Sequence, residues 1–344
     1  MNKLAILGVT LASATTAVLV GSNVSAQEEV LNLYSSRHYD TDQALYDNFT
    51  EQTGIEVNLI EGDGDELIAR LTNEGANSPA DLFITVDVGR LAKADSEGLF
   101  QPVDSDTLEA SIPDNLRHPD GHWFGLTQRA RVIVYNPETV DPAELSTYEA
   151  LAGAEWQDRV CIRSSSNIYN QSLMGSLIAN LGVDAASDWA EGMVNNFARE
   201  PEGGDTDQIK AVAAGLCDVA IANHYYYARL AKSDDVADNA VAESTAIFFP
   251  NQDDRGTHVN ISGAGVLANA PNPDAAVAFL EYLTTPEAQS IFAEGNNEYP
   301  VVDGVDIDPV VAELGDFKTD EASLSDFSGN SAEALIVFDE AGWK

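Results

Sequence analysis

A chain of 344 residues has length for two packed lobes, and its 44% hydrophobic and 8% aromatic content is that of a folded protein rather than a disordered one. With 57 acidic against 17 basic residues, a formal charge of −40 excludes a nucleic-acid surface and fits a solvated acidic exterior. That charge attracts cations but is screened by salt, so it names no ligand.

The first 26 residues read as an export signal. Lys3 supplies the positive start, residues 4–21 are uncharged and mostly apolar, and Ser22-Asn-Val-Ser-Ala26 ends in a small-x-small pattern, so cleavage is expected after Ala26. The run approaches the length of a membrane span, but its centre, Ser13-Ala-Thr-Thr16, is weakly apolar and a cleavage site follows directly. The mature protein is expected in the periplasm. Its two cysteines, Cys161 and Cys217, suit a disulfide in an exported chain, since neither has a near cysteine or histidine to build a metal site.

Short apolar runs then alternate with amphipathic helical stretches, which predicts α/β architecture with ligands at the carboxyl ends of strands. Strands are predicted over 30–34, 55–60 and 81–86, and helices over 41–53, with Gly54 as its cap, and over 66–73. The apolar segment 123–134 is expected to carry the chain into a second lobe. There, strands are predicted at 159–162 and 218–222, with helices over 167–181, 207–214 and from His224 onward. Residues 246–249 lead back, and a strand at 259–268 with helices over 274–283 and 286–293 completes the first lobe. The expected division is 27–130 with 248–302, and 131–247 with 303–344, with a hinge and a cleft between them.

Three segments fall where a strand ends and a helix begins. They are Ser35-Ser-Arg-His-Tyr39, Arg163-Ser-Ser-Ser-Asn-Ile-Tyr169 and Ala222-Asn-His-Tyr-Tyr-Tyr-Ala-Arg229. Any one tyrosine is an ordinary amphipathic residue, and a tyrosine run can also be a stacking platform for a sugar. Several tyrosines facing one cleft suit a hard trivalent cation. A phenol has a pKa near 10, so it ionises at neutral pH only against a strong Lewis acid such as Fe(III). Softer divalent metals choose thiolates or imidazoles, and calcium chooses carboxylates. No His-Glu-x-x-His, Gly-x-Ser-x-Gly or phosphate-cradling loop is present, so no enzyme is expected.

From about Val30 to the Ala341-Gly-Trp-Lys344 end, the chain resembles the ferric-iron-binding proteins of bacterial iron ABC transporters. The likeness lies in Thr53-Gly-Ile-Glu-Val57, Ser78-Pro-Ala-Asp-Leu-Phe83, Gly125-Leu-Thr-Gln-Arg-Ala-Arg131, Asn223-His-Tyr-Tyr226, Ser262-Gly-Ala-Gly265 and Glu298-Tyr-Pro300. This resemblance implies the two-lobed periplasmic-binding-protein fold, a monomer, Fe(III) as the transported ligand and an ABC permease as partner. It makes Tyr225 and Tyr226 the paired ligands, with Tyr227 left for packing, and His38 the histidine ligand after the first strand. A glutamate ligand used by one branch corresponds to about Val86 here, which cannot ligate. Tyr39 and Tyr169 instead resemble the tyrosine-rich branch typified by cyanobacterial proteins, which speaks against a synergistic anion. Four tyrosinates and a neutral histidine leave Fe(III) with a net charge of −1, which a nearby cation would offset. Arg37, Arg129, Arg131 and Arg255 are the candidates. The alternative is the same fold binding an organic solute such as a polyamine, thiamine or a sugar, with the tyrosines stacking on it.

Overall fold

The computed structural model describes residues 29–344 apart from His38, so the export signal and that histidine lie outside the described residues. Nine strands form one curled sheet: β1 (Val30–Ser35), β2 (Glu56–Glu61), β3 (Leu82–Val86), β4 (Phe124–Tyr135), β5 (Val160–Cys161), β6 (Val219–Asn223), β7 (Ala246–Phe248), β8 (Val259–Val266) and β9 (Tyr299–Pro300). Their order is β2-β1-β3-β8-β4-β6-β5, with β7 and β9 also paired to β4. β1 runs parallel to β2 and β3, as βα units require, and the helix Gln43–Thr53 between β1 and β2 ends on Gly54 at φ 77°, the left-handed cap its glycine permits.

The apolar segment predicted to change lobes is a single twelve-residue strand, β4. Its first half, Phe124 to Ala130, pairs with β8, and its second half, Arg131 to Tyr135, pairs with β6. Each half belongs to a different core. Leu31, Phe49, Phe83, Trp123 and Phe279 anchor the first core, and Ile133, Trp156, Leu173, Trp189 and Val219 the second. β4 is buried along nearly all of its length, with apolar ends, Phe124-Gly-Leu126 and Val132-Ile-Val-Tyr135, flanking a polar centre that carries Arg129 and Arg131 to the junction of the lobes.

The carboxyl-terminal region does not belong wholly to the second lobe. Leu324 and Phe327 pack into the first core, whereas Ala334, Val337, Phe338 and Trp343 pack into the second. Residues 324–328 thus pack against the first core although they follow residue 303, where the second lobe is expected to resume. Among the described residues no helix is long and apolar enough to cross a membrane.

Cys161 at the end of β5 and Cys217 just before β6 form a disulfide, with Cα atoms 5.8 Å apart. It ties together the two parallel strands that lead to Tyr169 and Tyr225. Replacing both cysteines by serine is expected to lower unfolding stability by about 2–5 kcal/mol, measured by denaturant titration, since a loop of 56 residues is released.

Candidate functional site

The three predicted segments converge where the strands end. Asn167 caps the helix Ile168–Leu181, its side chain accepting from the Tyr169 N–H at 3.2 Å, and this sets Tyr169 in the first turn facing the cleft. β6 passes straight into the helix His224–Ala231 through an extended Asn223, so Tyr225 and Tyr226 leave the backbone side by side. Their rings lie 4.3 Å apart between centroids. The Tyr169 and Tyr225 hydroxyls meet at 3.3 Å. Tyr39, from the other lobe, closes the group: the guanidinium of Arg229 lies 4.9 Å from the Tyr39 ring, 4.9 Å from that of Tyr225 and 5.7 Å from that of Tyr226.

Burial is the main force on these phenols. It pushes Tyr225 well above its ordinary pKa, with the neighbouring Tyr169, Tyr39 and Tyr226 adding to the effect. Tyr169 is raised by burial and then by Tyr226, and Tyr39 by burial and then by the Glu298 carboxylate. Without a cation these three groups are neutral at pH 7. Their oxygens are hard donors that become anionic only when a Lewis acid displaces the protons.

Arginines surround the group. Arg37 and Arg129 are buried, both donate to Ser262 Oγ, and both reach Glu298, at 3.3 and 3.0 Å. Burial opposes the Arg129 charge, but Glu298 and the phenols of Tyr225, Tyr39 and Tyr169 raise its pKa overall. Its Nε and Nη1 are buried with no hydrogen-bond partner, leaving donors beside the tyrosine oxygens. Arg131 sits 5.8 Å from the Tyr169 ring and pairs with Asp205 at 2.7 Å. Arg255 does not join them. It pairs with Glu149 at 2.6 Å and approaches Asp320 at 3.8 Å, so its expected place beside the tyrosines is corrected to the region where β7 leads into β8.

Three residues at the site lie in segments singled out from the sequence but are given no role there. Arg229 lies four residues after Tyr225 on one helix, a spacing that places both on one face and could have exposed it. Arg163, 5.4 Å from the Tyr169 ring, opens the strand-end segment that carries Tyr169, and Glu298 reaches the site from a distant segment, so only the fold shows its role. Tyr227 instead donates to the Ala242 and Thr245 carbonyls at 3.1 and 3.3 Å, a packing role as expected. His224 is also occupied: its Nδ1 accepts from the Ala130 N–H, its Nε2 faces the Asn297 carbonyl at 2.9 Å, and burial lowers its pKa to about 3.

The lobes are drawn together over the tyrosines. Asp87, at the end of β3, accepts from Ser172 Oγ of the other lobe at 2.5 Å and from Asn260 at 2.8 Å. An open cavity of about 500 Å³ remains beside the site, between Ser36, Asp63 and Arg90 on one lobe and Arg163, Ser166 and Tyr169 on the other. The Asp87–Ser172 bond can exist only when the lobes meet. Ser172→Ala is therefore expected to weaken ligand retention by about tenfold, read as a faster off-rate, because a hydrogen bond to a charged group contributes about 1.5–3 kcal/mol.

The chain matches the family of bacterial extracellular solute-binding proteins over residues 35–290. It is 55% identical over 337 residues to iron uptake protein A2 of Synechocystis sp., covering 96% of each chain. It is 31% identical to the Fe(3+)-binding periplasmic protein of Serratia marcescens, covering 97% of this chain and 96% of that one. A solved structure of the Trichodesmium protein IdiA (FutA), in complex with iron and citrate ligands, superposes with a TM-score of 0.90 at 59% identity, over 92% of this chain and all of that one. The chain belongs to the bacterial extracellular solute-binding proteins, within the group formed by their ferric-iron-binding members.

Proposed function

We propose that this protein captures Fe(III) in the periplasm, between its two lobes, and hands it to an ABC-type permease. The observation that carries this reading is the convergence of Tyr39, Tyr169, Tyr225 and Tyr226, with the Tyr169 and Tyr225 hydroxyls 3.3 Å apart. Those four phenols are the proposed ligands, and His38, three residues past the end of β1 in the sequence, is proposed as the fifth. Arg37, Arg129, Arg131 and Arg229 offset the negative charge of the tyrosinates, with Glu298 holding the first two in place. The lobes are proposed to swing about the crossings at β4 and between β7 and β8, and the protein to work as a monomer.

An organic solute is disfavoured by the packing of the rings. Stacking needs an open aromatic face, whereas Tyr225 and Tyr226 lie against each other and Arg229 covers them. The relatives are binding and uptake proteins, so the chain performs no catalysis.

The test is elemental analysis of protein purified from its native compartment, with a visible spectrum before and after reduction. One iron per chain and a phenolate-to-iron charge-transfer band that fades on reduction are expected. Iron-free protein that takes up no colour with ferric salts would exclude the proposal.

A further inference from the structure

The tyrosine cluster uses neither His118 nor His122. On the first lobe, these two histidines and Asp95 bring three ligand atoms within 4.8 Å of one another, and they are the group of histidine, cysteine and carboxylate side chains among the described residues that meets this condition. We propose that Asp95, His118 and His122 form a second metal site, for a borderline divalent cation of the zinc class.

The geometry supports this placement. His122 Nδ1 lies 2.6 Å from Asp95 Oδ1, and His118 Nε2 lies 3.5 Å from Asp95 Oδ2. The two imidazoles are parallel, 1° between planes, with centroids 4.6 Å apart, so both rings present an edge to the same carboxylate. Small rotations would bring the three atoms to the spacing of about 3.3 Å that tetrahedral bonds of about 2.0–2.1 Å require. Trp123 packs edge-on against His118 at 5.7 Å and holds that ring in place. The side chains of Asp95, His118 and His122 are 24%, 15% and 28% exposed, which leaves the remaining coordination positions to water.

Two imidazoles and one carboxylate suit zinc or copper(II), whereas the phenolate set in the cleft suits Fe(III), so the two sites select by donor chemistry. Proton bookkeeping is local. The Asp120 N–H donates to His118 Nδ1 at 3.1 Å, which leaves the ring proton on Nε2 facing Asp95. When the metal takes His118 Nε2 and His122 Nδ1, each proton moves by exchange with water to the other nitrogen of its ring, and the exposed Asp120 N–H turns to solvent. Asp95 then exchanges two N–H partners for one cation. Asp95 stands near the end of the helix Val88–Ser96, roughly 10 Å along it from the cleft, so the second site can fill with the first occupied or empty.

Zn²⁺ is titrated into the full protein by calorimetry, with and without Fe(III), in the presence of excess Ca²⁺. One saturable zinc per chain is expected in both states, weakened at least tenfold by His122→Ala and by Asp95→Asn. The far-ultraviolet circular dichroism spectrum, unchanged in both variants, reports that they fold. The proposal is overturned if zinc binding is displaced by Ca²⁺, if it is unaffected by both substitutions, or if no saturable binding occurs. None of these outcomes depends on the tyrosines binding iron, because the substitution-sensitive zinc event is read in the iron-free protein as well.

Discussion

Replacing Tyr226 with phenylalanine is expected to lower Fe(III) affinity by more than about two orders of magnitude while leaving folding nearly unchanged. The substitution keeps the ring that packs on Tyr225 at 4.3 Å and deletes only the oxygen. Loss of an outer partner of a metal ligand costs about 10–100-fold, and loss of the ligand itself exceeds that. The charge-transfer band should weaken and shift in the same variant, because one phenolate donor has gone. Tyr227→Phe is the matched control: it removes hydroxyl bonds to Ala242 and Thr245, so it costs about 1 kcal/mol of stability and leaves iron binding intact. Equal effects of the two substitutions on iron would mean that the register of the tyrosine pair is misassigned.

The second large effect is on pH. Burial raises the pKa of Tyr39, Tyr169 and Tyr225 in the iron-free protein, so each enters the complex by releasing a proton. The sign follows: affinity for the free ferric ion falls as pH falls, by about three decades per pH unit from these three groups alone. Calorimetry in buffers of different ionisation enthalpy, with iron delivered as a chelate of known proton content, should count about three or more protons released per iron. The same raised values act oppositely on the iron-free fold. Groups that hold their protons more tightly when folded stabilise the fold below their unfolded pKa near 10, and that stability is lost as the medium becomes more alkaline. Acid should therefore strip iron from a protein that remains folded.

The lobes, strands and cleft were legible because βα units write their period openly. An apolar run, a helical stretch and a glycine such as Gly54 recur along residues 30–86. The tyrosine segments were legible for a related reason: each sits at a strand's end, and the architecture sends such ends to one place. What stayed hidden depends on contacts between distant residues. Arg37 and Arg129 belong to the site because Glu298, 261 residues beyond Arg37, holds them there. Arg255 has the same side chain but is claimed by Glu149 and Asp320, and no local pattern distinguishes it. Residues 324–328 follow the same logic. Leu324 and Phe327 look like any short apolar pair, and only the packed lobes show that they enter the first core while the next helix enters the second.

The buried Arg37–Glu298–Arg129 group also bears on how iron is held. A buried charge stays only if it is paired, and here one carboxylate serves two guanidiniums, leaving net positive charge beside the phenols. Asp42, 2.7 Å from Arg37, balances it, so the four groups together carry no net charge. Two Arg129 nitrogens stay buried without a partner, and the guanidinium lies 5.9 Å from the Tyr225 ring.

Anomalous diffraction at the iron absorption edge, from crystals of iron-loaded protein, tests the central claim most directly. A single peak is expected within about 2 Å of the Oη atoms of Tyr39, Tyr169, Tyr225 and Tyr226, the bond length of a hard oxygen donor to a first-row metal. A peak at any other group of residues, or no ordered peak from protein that carries one iron per chain, would contradict the account.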